Sequence, residues 1–397
     1  MERRVLRGAG FLYSTAPRGG FFMRLAIFEN IMTPGGHEVD FDRIIVDEFR
    51  ARNHRVNFFV PENFVFQFDY KVPSKKLDGA AVTYTQSKGL KKIFSAAKRE
   101  FNRQRWYRQL FDRQDEYDAL LVPTSTYRYL RALNHSPLRK ISKPLIFILH
   151  GINPSELDNF FNEAQRLLDY KNIRLVVLTF GDSIFGRRLD NIFPLYPPTY
   201  TPRDIDYRPS GAPRGSVLKI GFFGQYRREK KLEALLDVYL NRKYERDVEL
   251  IVQGSTMHDE DAADFDRIIN KYSNRGITFR HEGLIGAEWQ RAIASVDALL
   301  MPYSAPRYRY HWGGMLFTAI GFQKPVVASD DMNPEVFERF RIGETFSSGD
   351  VDELGRVLET FINDFDQNVD EYRRGLSAAA DEYSPLNFAR RLESVIS

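Results

Sequence analysis

The chain has 397 residues, a formal net charge of +4, 43% hydrophobic and 28% charged residues, and no cysteine. The cysteine count excludes a disulfide framework, a thiolate metal site and a cysteine nucleophile. No apolar run approaches the roughly 20 residues of a spanning helix, and the length suits two domains of about 150–200 residues better than one.

Residues 1–22 are rich in Arg and carry a single acid, Glu2. A transit peptide has that composition. The reading adopted is an upstream extension or mis-called start outside the fold, because Met23 opens abruptly into an apolar strand. From there short apolar runs alternate with amphipathic ones. Strands are predicted at 25–28, 56–60, 119–122, 145–149 and 175–179, and helices at 38–52, 88–113, 155–169 and 182–190. Such alternation builds a parallel sheet covered on both faces. Residues 194–216 hold six prolines with Gly211 and Gly215, which suits neither a helix nor a central strand and marks a linker. The alternation then restarts, with strands at 217–223, 248–252, 277–280, 297–301 and 325–329. The intervening helices are expected at 229–241, 260–274, 287–295 and 314–322, followed by 350–363 and 385–396.

The expected architecture is therefore α/β: two doubly wound Rossmann-like domains facing a central cleft. An extension (1–22), a first domain (23–200), a linker (201–216), a second domain (217–380) and a terminal helix (381–397) divide the chain. Ligands of such sheets bind at the C-terminal ends of the strands.

Thr33-Pro34-Gly35-Gly36-His37-Glu38 follows the first strand and leads into a helix with Phe41, Ile44, Ile45 and Phe49 on one face. Gly35 and Gly36 either let the backbone approach a ligand or form an ordinary tight turn. Without a Gly-x-Gly-x-x-Gly run here, a nicotinamide enzyme is disfavoured. Residues 88–113 carry nine Lys or Arg against Glu100 and Asp112, with Leu90, Ile93, Phe94, Ala97 and Phe101 at helical spacing. That helix either packs into the core with a solvated basic face or meets an anionic membrane surface. No nucleic-acid-binding module is recognisable. His150 ends a strand, where it either contacts a substrate or serves as a satisfied buried histidine.

In the second half, Gly224 ends a strand and Arg227, Arg228, Lys230 and Lys231 precede a helix. They are either a phosphate clamp or a solvated helix start. Cations are disfavoured there by the helix dipole, so an anionic ligand would account for them. Further on, Gly313-Gly314-Met315 opens an apolar helix, where exposed backbone N–H groups suit a diphosphate. The histidine spacing matches no metal site, and none is expected.

In this order the pieces resemble family 4 of the nucleotide-sugar glycosyltransferases, which have the two-Rossmann GT-B architecture. The resemblance runs from Met23 to Ser397. It rests on Glu249-Leu-Ile-Val-Gln-Gly254, Ala298-Leu-Leu-Met-Pro302, Gly321-Phe-Gln-Lys-Pro-Val-Val-Ala-Ser-Asp330 and Pro334-Glu-Val, with Pro34-Gly-Gly and His54-Arg-Val in the first domain. By this resemblance Gly35 and Gly36 lie near the donor diphosphate and acceptor, and Lys230 neutralises the diphosphate. Arg227 or Arg228 replaces an arginine that is here Gln225. Gly313, Gly314 and Met315 give N–H groups to the phosphates, His150 touches the donor sugar, and the terminal helix crosses back to the first domain. Tyr310 and Thr318 occupy two positions where the family carries glutamates, and Thr318 would bond a ribose hydroxyl.

The implied activity is metal-independent sugar transfer from a nucleoside-diphosphate sugar, UDP- or GDP-linked and used as substrate rather than tightly bound cofactor. The acceptor is a sugar or lipid-linked hydroxyl in polysaccharide or glycolipid assembly, at the cytoplasmic face of the membrane. If configuration inverts, Glu38, Asp40 or His150 is the candidate base. The competing readings are a nucleotide-sugar epimerase or hydrolase and a non-catalytic partner protein of the same fold.

Overall fold

The computed structural model describes residues 22–31, 37–81, 90–180, 187–207, 209 and 216–397, leaving aside the side chains of 90–92. Expectations for residues 1–21, for Gly35 and Gly36, and for most of the helix at 182–190 lie outside the described residues; 187–190 are not helical.

The first unit runs β1 (Arg24–Phe28), α1 (Glu38–Ala51), β2 (Arg55–Pro61), β3 (Ser74–Leu77), α2 (Leu90–Asp112), β4 (Ala119–Ser125), α3 (Tyr127–Arg131), α4 (His135–Leu138), β5 (Leu145–Leu149), α5 (Leu157–Arg166), β6 (Ile173–Leu178) and β7 (Ile192–Leu195). The second runs β8 (Leu218–Phe222), α6 (Leu232–Leu240), β9 (Val248–Gly254), α7 (Asp259–Tyr272), β10 (Ile277–His281), α8 (Gly286–Ala294), β11 (Ala298–Met301), α9 (Arg307–Tyr310), α10 (Gly314–Gly321), β12 (Val326–Ser329), α11 (Pro334–Arg339) and β13 (Gly343–Phe346). Three helices close the chain: α12 (Val351–Asn363), α13 (Phe365–Glu382) and α14 (Pro385–Ile396).

The first sheet has the order β3-β2-β1-β4-β5-β6-β7 and the second β10-β9-β8-β11-β12-β13, with every recorded pairing parallel. Central strands such as β5, LIFIL, are buried along their whole length, as a sheet covered on both faces requires. Chain direction across each sheet reverses at its first strand, between β1 and β4 and between β8 and β11. The crevice beyond these switch points is where ligands bind in open α/β sheets.

The unexpected strands are all at edges: β3 reads SKKL, β7 contains Pro194, and β13 has four residues. An edge strand needs neither a long apolar run nor a full set of N–H donors, so periodicity is weakest there.

Ser384 caps α14 by accepting from Asn387 N–H (3.3 Å), and Pro385 holds the first helical position. The helix returns to the first unit, where Phe388 packs on Phe41 of α1 with ring centroids 5.5 Å apart and Glu393 pairs with Arg52 and His54. The linker crosses α10 at Gly321, where a side chain would run into the Tyr200 carbonyl.

Beneath the start of α1, Glu29 and Asp42 are almost fully buried and hydrogen-bonded to each other. Burial raises both carboxyl pKa values, that of Glu29 to about 7 from 4.5; Glu29 raises that of Asp42 further, whereas the hydrogen bond from Asp42 partly offsets the rise at Glu29. Because the folded value lies above the unfolded one, the native state holds a proton that the unfolded chain releases. Stability from this pair is therefore present below about pH 4.5 and is lost as pH rises toward about 7. Glu29→Gln is expected to be more stable than the parent by about 1–3 kcal/mol at pH 8 and no more stable at pH 4.5. Urea melts at the two pH values check this; a difference independent of pH would contradict it.

Candidate functional site

At the switch point of the second sheet, β8 ends at Phe222 and the chain turns through Gly224, whose φ of 103° favours glycine. Gly224 N–H donates to the buried Gln253 (3.0 Å). A single turn, Arg228–Lys230, then folds Lys230 inward before α6 begins. The Lys230 ammonium lies 4.6 Å from the Tyr303 ring centroid and 5.8 Å from that of Phe222, and the residue is only 7% exposed. No carboxylate pairs with it among the described residues. Burial lowers its pKa from 10.5 to about 7, and repulsion from Arg227 and Arg307 adds to that. The nearest acid, Glu229, is engaged by Arg227 (3.8 Å), by Arg307 and by the Tyr308 hydroxyl (3.1 Å).

These groups border a cavity of about 290 Å³ lined by Asn153, Gln225, Arg227, Lys230, Tyr303, Arg307, Tyr308, His311, Trp312, Gly313, Gly314, Met315 and Met332. Asn333 shapes its far wall, accepting from Gly313 N–H (3.0 Å) and donating to the His311 carbonyl (3.0 Å). A Cβ on Gly313 would come within 2.8 Å of the Asn333 side-chain oxygen, so this approach needs glycine. Gly314 N–H bonds the Trp312 carbonyl (3.1 Å). The two glycines thus line the cavity with their own N–H groups already engaged. Helix geometry leaves the N–H groups of Met315 and Leu316 without an intrahelical acceptor, at the positive end of the α10 dipole.

The first unit closes the cavity through Asn153 and through a bridge of Gly151 to His311, beside Trp312 N–H on the His150 carbonyl (3.0 Å). The His150 ring lies among Phe41, His37 and Trp312. Its Nε2 is 3.0 Å from the Pro123 carbonyl, which can only accept, so Nε2 carries the hydrogen. Nδ1 then accepts from His37 Nε2 at 2.9 Å. Burial, with His37 adding to it, lowers the His150 pKa well below its ordinary value. The ring is neutral, with both nitrogens bonded.

The fold thus brings Arg227, Lys230, Gly313, Gly314 and Met315 to one cavity. Gly224 lies directly behind them, since a Cβ there would be 3.5 Å from the Lys230 ammonium. Arg228 turns away to Asp264 (3.4 Å), and Tyr310 is not part of the lining. Thr318 is buried with its hydroxyl on the Gly314 carbonyl (2.8 Å) and faces a separate cavity of about 20 Å³, which Asp40 also borders. Burial raises the Asp40 pKa, opposed by Arg43. Glu38 lies beside His37, its buried Oε2 3.9 Å from His37 Nδ1 and without a hydrogen-bond partner among the described residues. Tyr303, Arg307, Tyr308, His311 and Trp312 were not among the expected site residues. The signal for all but Tyr303 was the basic, aromatic run Arg307-Tyr-Arg-Tyr-His-Trp312 immediately before Gly313. Among the described residues no cluster of three or more His, Asp or Glu is placed to hold a metal ion.

No protein-family model matches this sequence, and neither does any curated protein. Solved structures do match. HepE of Anabaena, in complex with UDP and glucose, is similar with a TM-score of 0.67 at 16% identity, over 94% of this chain and 99% of that one. The catalytic domain of starch synthase IV from Arabidopsis thaliana, bound to ADP and acarbose, has a TM-score of 0.65 at 10% identity, over 95% and 99%. WaaG, a glycosyltransferase involved in lipopolysaccharide biosynthesis, has a TM-score of 0.62 at 13% identity, over 94% and 99%. The chain has the two-domain α/β GT-B fold of these proteins.

Proposed function

We propose that this protein is a glycosyltransferase of the family 4 type, moving a sugar from a nucleoside-diphosphate sugar to an acceptor hydroxyl in polysaccharide or glycolipid assembly. Residues 217–380 form the donor domain and 23–200 the acceptor domain, joined by 201–216 and by the returning segment 381–397. The observation that carries this reading is Lys230, a buried cation with no counter-ion among the described residues, flanked by Arg227 and Arg307 and lining one cavity with the α10 N-terminus. A diphosphate supplies the missing charge. UDP is the first carrier to test, because HepE is a UDP complex of the same fold.

When the bond from the anomeric carbon to the diphosphate oxygen breaks, negative charge grows on that oxygen. Lys230, Arg227, Arg307 and the first N–H groups of α10 are already in place to stabilise it, which is catalysis by preorganised electrostatics. His150 is neutral and fully bonded, so its part is to hold the wall beside the sugar. In the first domain, Glu38, beside His37, is the candidate for receiving the acceptor proton.

A lipid-linked acceptor at an anionic membrane face is the second element of this reading. Trp106, Tyr107, Leu110 and Phe111 bury the C-terminal half of α2 in the first unit. The N-terminal half leaves Ile93, Phe94 and Phe101 at 65%, 73% and 63% exposure beside the exposed Lys98, and Arg105 and Arg108 are exposed further along the helix. Apolar residues interleaved with cations suit the headgroup boundary of an anionic bilayer. Among the described residues no helix is long and apolar enough to cross a membrane.

Three outcomes are expected. Lys230→Met should weaken UDP binding about 10–100-fold by calorimetry while leaving the thermal midpoint unchanged or higher; failure of the parent protein to bind UDP, GDP or ADP would refute the donor site. A bound diphosphate restores the charge on Lys230, so binding should take up a proton at pH 8 and weaken as pH rises above about 7. Titrations in buffers of different ionisation enthalpy measure that uptake. The protein should also co-sediment with phosphatidylglycerol vesicles but not phosphatidylcholine vesicles, and Phe94→Ser with Phe101→Ser should abolish this; unchanged binding would remove α2 as the membrane contact.

A further inference from the structure

Two exposed apolar segments leave the first unit at the edge where its strands end. Beyond β3, the carbonyls of Asp78, Gly79 and Ala80 accept in turn from Gln109 (3.0 Å), Trp106 (3.2 Å) and Asn102 (2.8 Å) of α2. The helix therefore runs back against the outgoing chain. Its residues 90–101 continue past the strand ends for about 18 Å, at 1.5 Å per residue.

The loop after β2 comes out at the same edge. Asn63 exchanges two hydrogen bonds with Ala81 (2.7 and 3.1 Å), and Glu62 accepts from Gly79 N–H (3.1 Å). These bonds tie the loop to the chain that leads toward α2. Phe64, Phe66 and Tyr70 pack ring against ring at 5.0 and 5.9 Å, and Phe64 and Tyr70 are buried. Between two such anchored rings, Val65 stands out at 77% exposure.

Of the ten large apolar side chains exposed among the described residues, Val65, Ile93, Phe94 and Phe101 share this edge. Scattered single ones are ordinary, whereas a group on one edge marks a contact surface. Around it the sequence places Lys88, Lys91, Lys92, Lys98 and Arg99 against Glu100. That excess of cations complements anionic headgroups.

The loop also touches the cleft. The Tyr70 hydroxyl donates to the Val39 carbonyl (3.1 Å), and the Arg43 guanidinium lies 4.5 Å from the Phe68 ring centroid. Val39 and Arg43 belong to the first two turns of α1, next to Glu38.

We infer that the loop after β2 is a second bilayer contact, with Val65 seated in the headgroup boundary of an anionic membrane beside the overhanging half of α2. A helix lying alone in an interface leaves the protein free to roll about the helix axis. A second point off that axis fixes the orientation, with the strand-end edge toward the bilayer. A lipid-linked acceptor then reaches the start of α1 along this loop. The inference rests on the membrane element of the function proposed above and is independent of the donor site.

The chain has no cysteine, so one nitrobenzoxadiazole label can be placed by Val65→Cys, Phe94→Cys or Val217→Cys. Val217 is an exposed valine just before β8, at the strand-start edge of the second sheet. Phosphatidylglycerol vesicles should shift the emission at positions 65 and 94 to the blue and leave position 217 unchanged, and nitroxide-bearing lipid should quench the first two. Val65→Asp should weaken vesicle binding about tenfold. Its thermal midpoint should match the parent's, since this side chain is outside the core. A shift at 94 without one at 65 would overturn the inference and leave α2 as the membrane contact. A shift at neither would remove the membrane reading and the inference together. A shift at 65 that needs no vesicles and grows with protein concentration would place a second copy of the chain there, and would overturn it as well.

Discussion

A buried ammonium without a counter-ion is the constraint around which the second unit is arranged. Lys230 is carried there by the turn after β8, and it meets aromatic faces rather than a carboxylate. The one acid nearby, Glu229, accepts from Arg227, Arg307 and Tyr308, which fixes the two guanidinium groups at the cavity wall rather than neutralising the lysine. Burying a charge this way is costly, which lowers the Lys230 pKa to about 7 and weakens its hold on the proton. An arriving anion reverses that shift, which makes the charge itself conditional on the ligand.

The cavity exists only where the two units meet, and the same interactions that join them also shape it. Trp312 stacks on Tyr200 of the linker segment at 5.0 Å and presents edges to Phe41 and His150 of the first unit. Its backbone N–H bonds across to the His150 carbonyl, and the neighbouring residue bridges Gly151. The His37–His150–Pro123 chain keeps the opposing ring in one tautomer and orientation. One residue thus contributes to the junction by its ring and backbone and also lines the cavity. Opening of the two units would separate Asn153 from the rest of the lining, so a complete cavity and a closed cleft are the same state.

Much of the architecture was legible because parallel strands buried on both faces leave unbroken apolar runs, as in LIFIL of β5 and ALLM of β11. The edges were not: β3 is mostly lysine and serine, and β7 carries a proline inside a segment read as the approach to a linker. Within the candidate site, Lys230 and Gly313-Gly314 stood out through local rules about strand ends and helix starts. Arg307, Tyr303 and His311 did not, since their role depends on which groups lie opposite after folding. His150 shows the same limit from the other side. Its place at the end of β5 was visible, but the loss of both ring nitrogens to His37 and Pro123 is a tertiary fact.

The face of α10 decides which of its residues can meet a ligand. Met315 looks into the large cavity, whereas Thr318 turns toward Tyr200, Ile44 and Asp40 and bonds its own helix at Gly314. A carboxylate at 318 would enter a space of about 20 Å³ already bordered by Asp40, whose own ionisation is opposed by burial. Arg43 and Arg203 border the same space, so its charge is mixed, and it is the small volume that favours a short side chain with an internal bond at 318. The large cavity is therefore bordered by the start of α10 and by the loop before it, not by Thr318. The charge that borders that cavity is carried by Arg227, Lys230 and Arg307, and the rest of its lining is neutral.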